Sequence, residues 1–121
     1  MEINKIYNID CFEGHEMIDD KSIDLIYTDL PYNQTHNKWD CEIDLDKLWF
    51  DYKRMIKPNG IIVLHAQGMF SAKLMLSNEK WWKYNLVWSK LLVSGFLNAN
   101  RQPLRSHEDI LVFYNKPGTY N

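Results

Sequence analysis

The continuous apolar run Ile61-Ile62-Val63-Leu64 is the feature that most constrains the fold of this 121-residue chain. A run without polar alternation is typical of a β-strand that is buried on both faces. A second short run, residues 23–27, is rich in the β-branched and aromatic residues that strands favour. Between the two runs, residues 45–56 carry their apolar side chains at helical spacing. These patterns predict a strand–helix–strand unit within an α/β fold.

The residues before this unit predict one more strand and a short helix. Residues 3–9 have the pattern of a first strand. Asp10 and Glu13 then have the spacing of a capping box, with Asp10 as the N-cap of a helix that extends to about Ile18. A carboxylate at the end of a strand is equally suited to binding a ligand, so both roles stay open for Asp10.

The residues after the unit predict a turn, a helix and two final strands. Pro58-Asn59-Gly60 is expected to stop the preceding helix and turn the chain. Residues 69–76 predict a helix, and residues 84–88 and 110–114 predict strands. This order predicts a largely parallel sheet that ends in an antiparallel pair of strands.

Two segments without an apolar period predict loops, at residues 33–43 and 89–108. The first contains Trp39, which suits either a mobile lid or a plug that fixes the loop to the body of the protein. The second contains three basic residues, Lys90, Arg101 and Arg105. Their charge suits contacts with phosphate groups, although solvated loops are also often basic.

Composition excludes several classes of protein. A hydrophobic content of 45 % excludes a disordered chain. Cys11 and Cys41 form neither a close metal-binding pair nor a disulfide framework. Because no apolar run reaches transmembrane length and the N-terminus lacks the form of a signal peptide, we predict a cytoplasmic protein without a membrane partner.

The charge is divided unevenly along the chain, although the net charge is only -2. Residues 1–60 hold 7 Lys and Arg against 13 Asp and Glu, whereas residues 61–121 hold 7 against 3. A basic second half permits a polyanionic partner, but the excess is modest and does not identify one.

A carboxylate, a proline and an aromatic ring occur together in Asp29-Leu30-Pro31-Tyr32, where the predicted strand at residues 24–28 ends. A strand that stops in a rigid turn presents its last side chains at the carboxyl edge of the sheet, where open α/β sheets bind ligands. The same residues also fit a simple strand terminator, in which Leu30-Pro31 ends the strand and Tyr32 covers the core. The tetrapeptide is therefore a candidate site whose identification depends on its context.

That context is supplied by a resemblance to the DNA amino-methyltransferases, whose hallmark is an acidic or amide residue, two prolines and an aromatic residue. Further segments resemble successive blocks of a bacterial and phage branch of this family, in one order along nearly the whole chain: Asn37-Lys38-Trp39-Asp40, Ile56-Lys57-Pro58-Asn59-Gly60, Val87-Trp88-Ser89-Lys90, Gly95-Phe96-Leu97-Asn98-Ala99-Asn100 and Pro103-Leu104-Arg105-Ser106-His107-Glu108. The order resembles the permuted group, in which the catalytic half precedes the cofactor half. Residues 1–121 then correspond to the catalytic-half portion of one methyltransferase domain.

The resemblance implies a Rossmann-like fold and methyl transfer from S-adenosylmethionine to the exocyclic amine of a base flipped out of double-stranded DNA, with adenine favoured. Acceptors around the amine favour a pyramidal nitrogen and stabilise the positive charge that grows on it. By resemblance, the carboxylate of Asp29 and the carbonyl of Leu30 are these acceptors, Pro31 completes the catalytic tetrapeptide, and Tyr32 stacks on the base. Asp10 and Asp29 are the implied cofactor ligands. The candidate DNA contacts, chosen for their charge, are the three basic residues Lys90, Arg101 and Arg105.

The chain departs from the family pattern at two points. Leu30 replaces the first proline, which keeps the carbonyl and removes only backbone rigidity. The second departure concerns the glycine-rich Phe-x-Gly-x-Gly segment of the cofactor site, because no two of the five glycines are close enough to form it. We therefore expect the cofactor site in these 121 residues to be incomplete.

Three functions fit these observations. The first is a DNA methyltransferase, and the second is a non-catalytic remnant or one half of a split enzyme that binds DNA or a partner chain. The third, methylation of a glutamine or RNA amine, fits the later blocks less well. In the complete fold, further strands lie between those predicted at residues 3–9 and 24–28. We thus expect an exposed sheet edge, covered by self-association or by a complementing chain.

Overall fold

The computed structural model of the protein describes residues 1–32, 41–94, 100 and 105–120. The elements follow one another as α1 (Cys11–Glu16), β1 (Ile23–Asp29), α2 (Leu45–Met55), β2 (Ile56–Ala66), α3 (Met69–Ser77), β3 (Trp82–Ser94) and β4 (Arg105–Phe113). From α1 onward, the kinds of element and their order agree with the sequence prediction.

The four strands form one sheet in the order β1-β2-β4-β3. β2 pairs with β1 in parallel and with β4 antiparallel, and β3 and β4 pair antiparallel. The α/β class and the antiparallel ending are thus confirmed. The expectation of a largely parallel sheet is wrong for the described residues, because β3 and β4 form a hairpin and only one pairing is parallel.

The strand predicted at residues 3–9 does not form. This segment has no strand pairing, and the side chain of Ile6 is 96 % exposed. Its contacts are local, since the Tyr7 hydroxyl accepts a hydrogen bond from the main-chain N of Glu2 and donates one to the Glu2 carbonyl. A strand requires a neighbour to satisfy its main-chain groups, and a local apolar pattern cannot supply one.

The starts of α1 and α2 follow the capping rules. The side chain of Asp10 accepts a hydrogen bond from the main-chain N of Phe12 at 2.9 Å, which confirms the predicted N-cap, although α1 ends at Glu16 rather than near Ile18. Asp44 caps α2 in the same way through the main-chain N of Lys47, at 3.1 Å.

The predicted turn at residues 58–60 is a strand bulge instead. Helix α2 stops at Met55 as expected, but β2 begins at once, with Ile56 opposite Ile23 and Ile61 opposite Leu25. Residues 57–60 of β2 therefore lie opposite the single residue Asp24. A bulge of this kind lets the strand continue after a local kink, whereas a turn would end it.

The predicted loop at residues 89–108 is also shorter in the structure. The hairpin ladder continues through Ser89 opposite His107 to Ser94 opposite Arg105. Polar side chains do not prevent strand pairing, because the ladder is formed by main-chain groups. In the other predicted loop, residues 33–40, including Trp39, lie outside the described residues.

The core lies on one face of the sheet. α2 and α3 cover this face, on which Ile26, Ile62, Leu64, Leu111 and Phe113 are buried. The indole of Trp49 on α2 packs 4.7 Å from the ring of Phe113, centroid to centroid. Leu74 on α3 belongs to the same cluster. We call this side the covered face.

The opposite side carries apolar side chains that no described helix covers. We call it the open face and define it by six residues: Leu25, Tyr27, Ile61, Val63, Leu86 and Trp88. Four of them are between 48 % and 60 % exposed: Leu25, Tyr27, Leu86 and Trp88. The prediction that the run Ile61-Ile62-Val63-Leu64 is buried on both faces is therefore wrong within the described residues, since Ile61 and Val63 are only half-buried.

Two properties of the described residues bear on the class of protein. None of their helices is long and apolar enough to cross a membrane. They also contain no group of three or more histidine, cysteine or acidic side chains placed to hold a metal ion.

Candidate active site

The tetrapeptide Asp29-Leu30-Pro31-Tyr32 lies at the carboxyl end of β1. Asp29 is the last residue of the strand and lies opposite His65 near the end of the parallel strand β2. Leu30 is 5 % exposed and belongs to the core, while Asp29 before it is exposed. The buried leucine thus anchors the turn, and the carboxylate is presented at the edge of the sheet where its main chain stops.

Tyr32 is half-buried and lies against α3. Its ring stacks on that of Phe70, with centroids 5.1 Å apart and planes at 29°. The hydroxyl oxygen is enclosed, and no described residue meets hydrogen-bond geometry with it. Burial, followed by the negative charge of Asp29, raises the pKa of Tyr32 well above its usual range. The phenol therefore stays protonated, with its enclosed hydroxyl near the carboxylate of Asp29.

A cavity of about 230 Å³ adjoins this ring. Its walls are formed by Pro31 and Tyr32 of the tetrapeptide, by Phe70 and Lys73 of α3, and by three residues at the start of α2 and just before it (Glu42, Ile43 and Leu45). The cavity combines an aromatic wall with charged groups, as small-molecule sites commonly do.

A polar network crosses the open face beside the tetrapeptide. The Tyr27 hydroxyl hydrogen-bonds Nε2 of His65, and Nδ1 of His65 lies 3.5 Å from Oε2 of Glu108. The ammonium of Lys90 lies 3.3 Å from Oε1 of the same carboxylate. Each strand of the described sheet contributes one side chain, so the network ties all four strands together beside the tetrapeptide.

Sequence reasoning did not identify Tyr27, His65 or Glu108 as site residues. Glu108 ends one of the segments on which the family resemblance rests, and His65 directly follows the apolar run of β2. These were the available signals. They carry weight only once β1, β2 and β4 are known to be neighbours, because the three residues are far apart in sequence.

The amino-terminal half of β4 is also fastened to α3 and to the segment between β2 and α3. The Ser71 hydroxyl donates to Oδ2 of Asp109 at 2.5 Å, and the side-chain amide of Gln67 donates to the carbonyl of His107 at 2.9 Å. Asp109 and Glu108 both contribute to the raised pKa of Tyr32. The tetrapeptide therefore faces a fixed acidic edge.

The basic residues predicted to bind DNA are not brought together by the described structure. Lys90 is paired with Glu108, as above, and its side chain is 24 % exposed. Arg101 lies outside the described residues, and Arg105 is described only as the first residue of β4. Asp10, a predicted cofactor ligand, is exposed and caps α1. The roles of all four residues stay predictions.

Comparison with known proteins gives consistent results. The profile of a family described as DNA methylase, of the N6/N4 type, matches residues 23–121. The Type II methyltransferase M1.MboII of Moraxella bovis is 40 % identical over 132 residues, which cover all of this chain and 50 % of that protein.

Solved structures agree with this match. The complex of M1.HpyAVI with SAM gives a TM-score of 0.66 at 22 % identity, with 92 % of this chain and 55 % of that chain covered. The cytosine-N4-specific PvuII DNA methyltransferase gives 0.69 at 15 % identity, with 93 % and 49 % covered. These likenesses confirm the Rossmann-like methyltransferase fold. The chain spans about half the length of the proteins it matches.

Proposed function

The chain belongs to the N6/N4 DNA methylase family, and from this premise we propose that it contributes to methyl transfer from S-adenosylmethionine to the exocyclic amine of a DNA base. Adenine is the proposed target, with cytosine as the alternative to be tested. The observation that carries the proposal is the position of Asp29, which is exposed at the carboxyl end of β1 beside the parallel strand β2. Open α/β sheets bind their ligands at this edge.

The chemistry of the exposed carboxylates suits S-adenosylmethionine, which carries ribose hydroxyls and an ammonium group as hydrogen-bond donors. Asp29 is exposed, and the N-cap bond of Asp10 uses only its Oδ1 oxygen. We therefore propose both residues as acceptors for the cofactor. When bound, the cofactor supplies a methyl group attached to a positively charged sulfur.

The residues of the tetrapeptide prepare the amine for attack. A nucleobase amine is a poor nucleophile, because its lone pair is delocalised into the ring. We propose that the carboxylate of Asp29 and the carbonyl of Leu30 accept the amine hydrogens, so that the lone pair points at the methyl group. The negative charge of Asp29 also stabilises the positive charge that develops on nitrogen. The buried side chain of Leu30 supports this role, because it limits movement of the carbonyl.

Tyr32 and the adjoining cavity are the proposed position of the flipped base. The Tyr32 ring packs on Phe70, and the same two rings line the cavity. An aromatic wall of this kind suits stacking on a base that has left the duplex. Lys90, Arg101 and Arg105 are the proposed DNA contacts, and Lys90 must exchange its pairing with Glu108 for a phosphate group.

A methylation assay tests the proposal. The chain is incubated with labelled S-adenosylmethionine and DNA duplexes, and Asp29→Ala is compared with Asp24→Ala. Asp24 is the matched control, since it is an exposed aspartate of the same strand and pairs with Lys57. Any base labelling should be abolished by Asp29→Ala and retained by Asp24→Ala. Equal labelling by both variants would reject the role of Asp29, and product digestion separates adenine from cytosine.

We propose as a second function the binding of DNA or a partner chain without catalysis, which is supported by the lack of a Phe-x-Gly-x-Gly segment among residues 1–121. Titration with S-adenosylmethionine distinguishes the two functions. Saturable binding by the isolated chain supports catalysis, whereas DNA binding without saturable cofactor binding supports the second function.

A further inference from the structure

The carboxylate of Glu108 lies between two basic side chains. The ammonium of Lys90 lies 3.3 Å from Oε1, and Nδ1 of His65 lies 3.5 Å from Oε2, while the Glu108 side chain is only 14 % exposed. Lys90 meets hydrogen-bond geometry with this carboxylate, whereas Nδ1 of His65 is enclosed and meets it with no described residue. Within the described residues, Glu108 is therefore partnered by Lys90, and His65 lies beside it with an unused ring nitrogen.

The surroundings of His65 hold its ring in an orientation that suits the protonated form. The side chain is buried, and its ring packs edge-on with those of Tyr27 and Trp88, with centroids 5.2 Å and 5.6 Å away. Its Nε2 hydrogen-bonds the Tyr27 hydroxyl. A phenol oxygen can accept from a ring N–H as well as donate to a ring nitrogen. A protonated His65 therefore finds an acceptor for each of its N–H groups, Tyr27 at Nε2 and Glu108 at Nδ1.

The charged groups around His65 come from the three other strands. Glu108 of β4 is one acidic neighbour. Asp29 of β1 is the other, because it lies opposite His65 in the register and two residues after Tyr27, which places it on the same face of the sheet. Lys90 of β3 is the opposing cation. Since carboxylates favour a proton on a histidine and a nearby ammonium disfavours it, departure of Lys90 favours the protonated ring.

The proposed DNA contact of Lys90 requires such a departure. The Lys90 side chain is 24 % exposed, and its flexible stem lets the ammonium turn from Glu108 to a phosphate group. Glu108 would then be a largely buried carboxylate without its cation, which is strongly unfavourable. A replacement cation is needed at the same place, and Nδ1 of His65 already lies 3.5 Å from Oε2.

We propose that His65 takes up a proton from the solvent and replaces Lys90 as the partner of Glu108 when Lys90 turns to a DNA phosphate. The proton binds to the ring nitrogen that lacks one, Nδ1–H closes on Oε2, and a proton returns to the solvent when the DNA leaves. This exchange, which rests on the proposed function, makes His65 a positioning residue. It keeps the charge beside Asp29 balanced while DNA is bound.

Uptake of a proton gives DNA binding a pH dependence of definite sign. The affinity should fall as the pH rises through the range of about pH 5–8 in which histidines titrate. For one proton the limit is about tenfold per pH unit. His65→Gln keeps a hydrogen-bonding side chain but cannot take up the proton, so its affinity for DNA should depend less on pH.

Binding of a mixed-sequence DNA duplex tests the link to DNA. The Kd is measured by fluorescence anisotropy at low salt across this pH range, for the chain and for His65→Gln. The loss of affinity from the acidic to the basic end should be about tenfold larger for the chain than for the variant. Isothermal titration calorimetry in buffers of different ionisation enthalpy counts the protons, and the chain should take up more of them than His65→Gln.

Nuclear magnetic resonance of the free chain tests the coupling of His65 to Lys90 without DNA. The chain has four histidines, and the signal that His65→Gln removes belongs to His65. Lys90→Met removes the ammonium and should shift the His65 titration to higher pH by about half a pH unit or more. In a Glu108→Gln background the same substitution should have less than about half of this effect, because the exchange needs the carboxylate.

Lys83→Met is the matched control. Lys83 belongs to the same strand as Lys90, but its ammonium lies over the ring of Tyr114, so its loss should leave the His65 titration unchanged. Circular dichroism verifies that each variant is folded, and the DNA measurements do not depend on Glu108→Gln.

Three results overturn the proposal: a His65 titration that Lys90→Met does not shift, a shift equally large in both Glu108 backgrounds, or DNA binding with the same pH dependence in the chain and in His65→Gln. None of these results rejects the Lys90 contact itself. Absence of DNA binding at every pH would reject that contact of the proposed function, and the exchange with it, so the two failures are distinguishable.

Discussion

We expect Gly60→Ala to destabilise the protein by about 1–3 kcal/mol, the usual effect of forcing an extra methyl group into a packed site. A Cβ atom at residue 60 would lie 2.5 Å from Cγ1 and 2.7 Å from Cδ1 of Ile56, and 3.0 Å from the carbonyl oxygen of Asp24. Ile56 is 2 % exposed and belongs to the core. Its side chain therefore has no free space to move into, and the strands must shift.

The bulge that contains Gly60 also determines the register of the functional strands. Before the bulge, Ile56 of β2 lies opposite Ile23, and after it Ile61 lies opposite Leu25. The register that begins at Ile61 continues to Asp29 opposite His65. A slip of one residue would move side chains to the other face of the sheet. Loss of stability in Gly60→Ala thus reports on the geometry that positions Asp29.

A double-mutant cycle measured by urea denaturation isolates the clash. Ile56→Ala removes both side-chain atoms that the new Cβ would meet, so Gly60→Ala should cost less than about 1 kcal/mol in that background. Gly14→Ala is the control. Its Cβ would meet nothing closer than 3.4 Å, and alanine favours the helix, so no loss of stability is expected. An equal cost of Gly60→Ala in both backgrounds would refute the packing argument.

Four further outcomes are expected. Burial raises the pKa of Tyr52 from its ordinary value of 10.0 to about 12, and the folded state then holds a proton that the unfolded state has lost. Stability should fall as the pH rises from 10 to 12, and Tyr52→Phe should reduce this loss by up to about 2–3 kcal/mol in pH-dependent urea denaturation. Tyr32→Phe should change stability by less than about 1 kcal/mol in the same assay, because the hydroxyl has no described partner to lose. Leu30→Pro, which restores the family hallmark, should cost about 1–3 kcal/mol, since it removes a core side chain that is 5 % exposed. Glu108→Gln should cost about 1–3 kcal/mol through its contacts with His65 and Lys90, whereas the exposed Glu79→Gln should be neutral.

Elements with a strong local signal were predictable. The apolar side chains of α2 recur at helical spacing, and the four residues Leu48, Trp49, Tyr52 and Met55 are all buried. The N-cap at Asp10 follows from chemistry within a few residues of the chain. Residues 3–9 and 58–60 were predicted incorrectly. Whether residues 3–9 form a strand depends on the presence of a neighbouring strand. Whether Pro58 and Gly60 lie in a turn or in a bulge depends on how β2 pairs with β1.

The candidate site was likewise predictable only in part. Asp29 and Tyr32 are predicted as site residues from one tetrapeptide, and the family that the tetrapeptide indicates is the one whose profile matches residues 23–121. The contacts of His65 and Glu108 were not predictable, because these residues are 43 positions apart and meet through the pairing of β2 with β4.

The sequence by itself determined the α/β class, the order of the elements from α1 onward and the tetrapeptide at the end of β1. These properties arise from side-chain periodicity, capping and turn chemistry, which act over a few residues. Only the tertiary structure decided the antiparallel pairing of β2 with β4, the network from Tyr27 to Lys90, and the side of the sheet on which the helices lie. These properties depend on contacts between distant residues, which are formed only when the strands assemble. The open face depends on both: its apolar residues are a property of the sequence, and their exposure follows from the position of the described helices on the covered face.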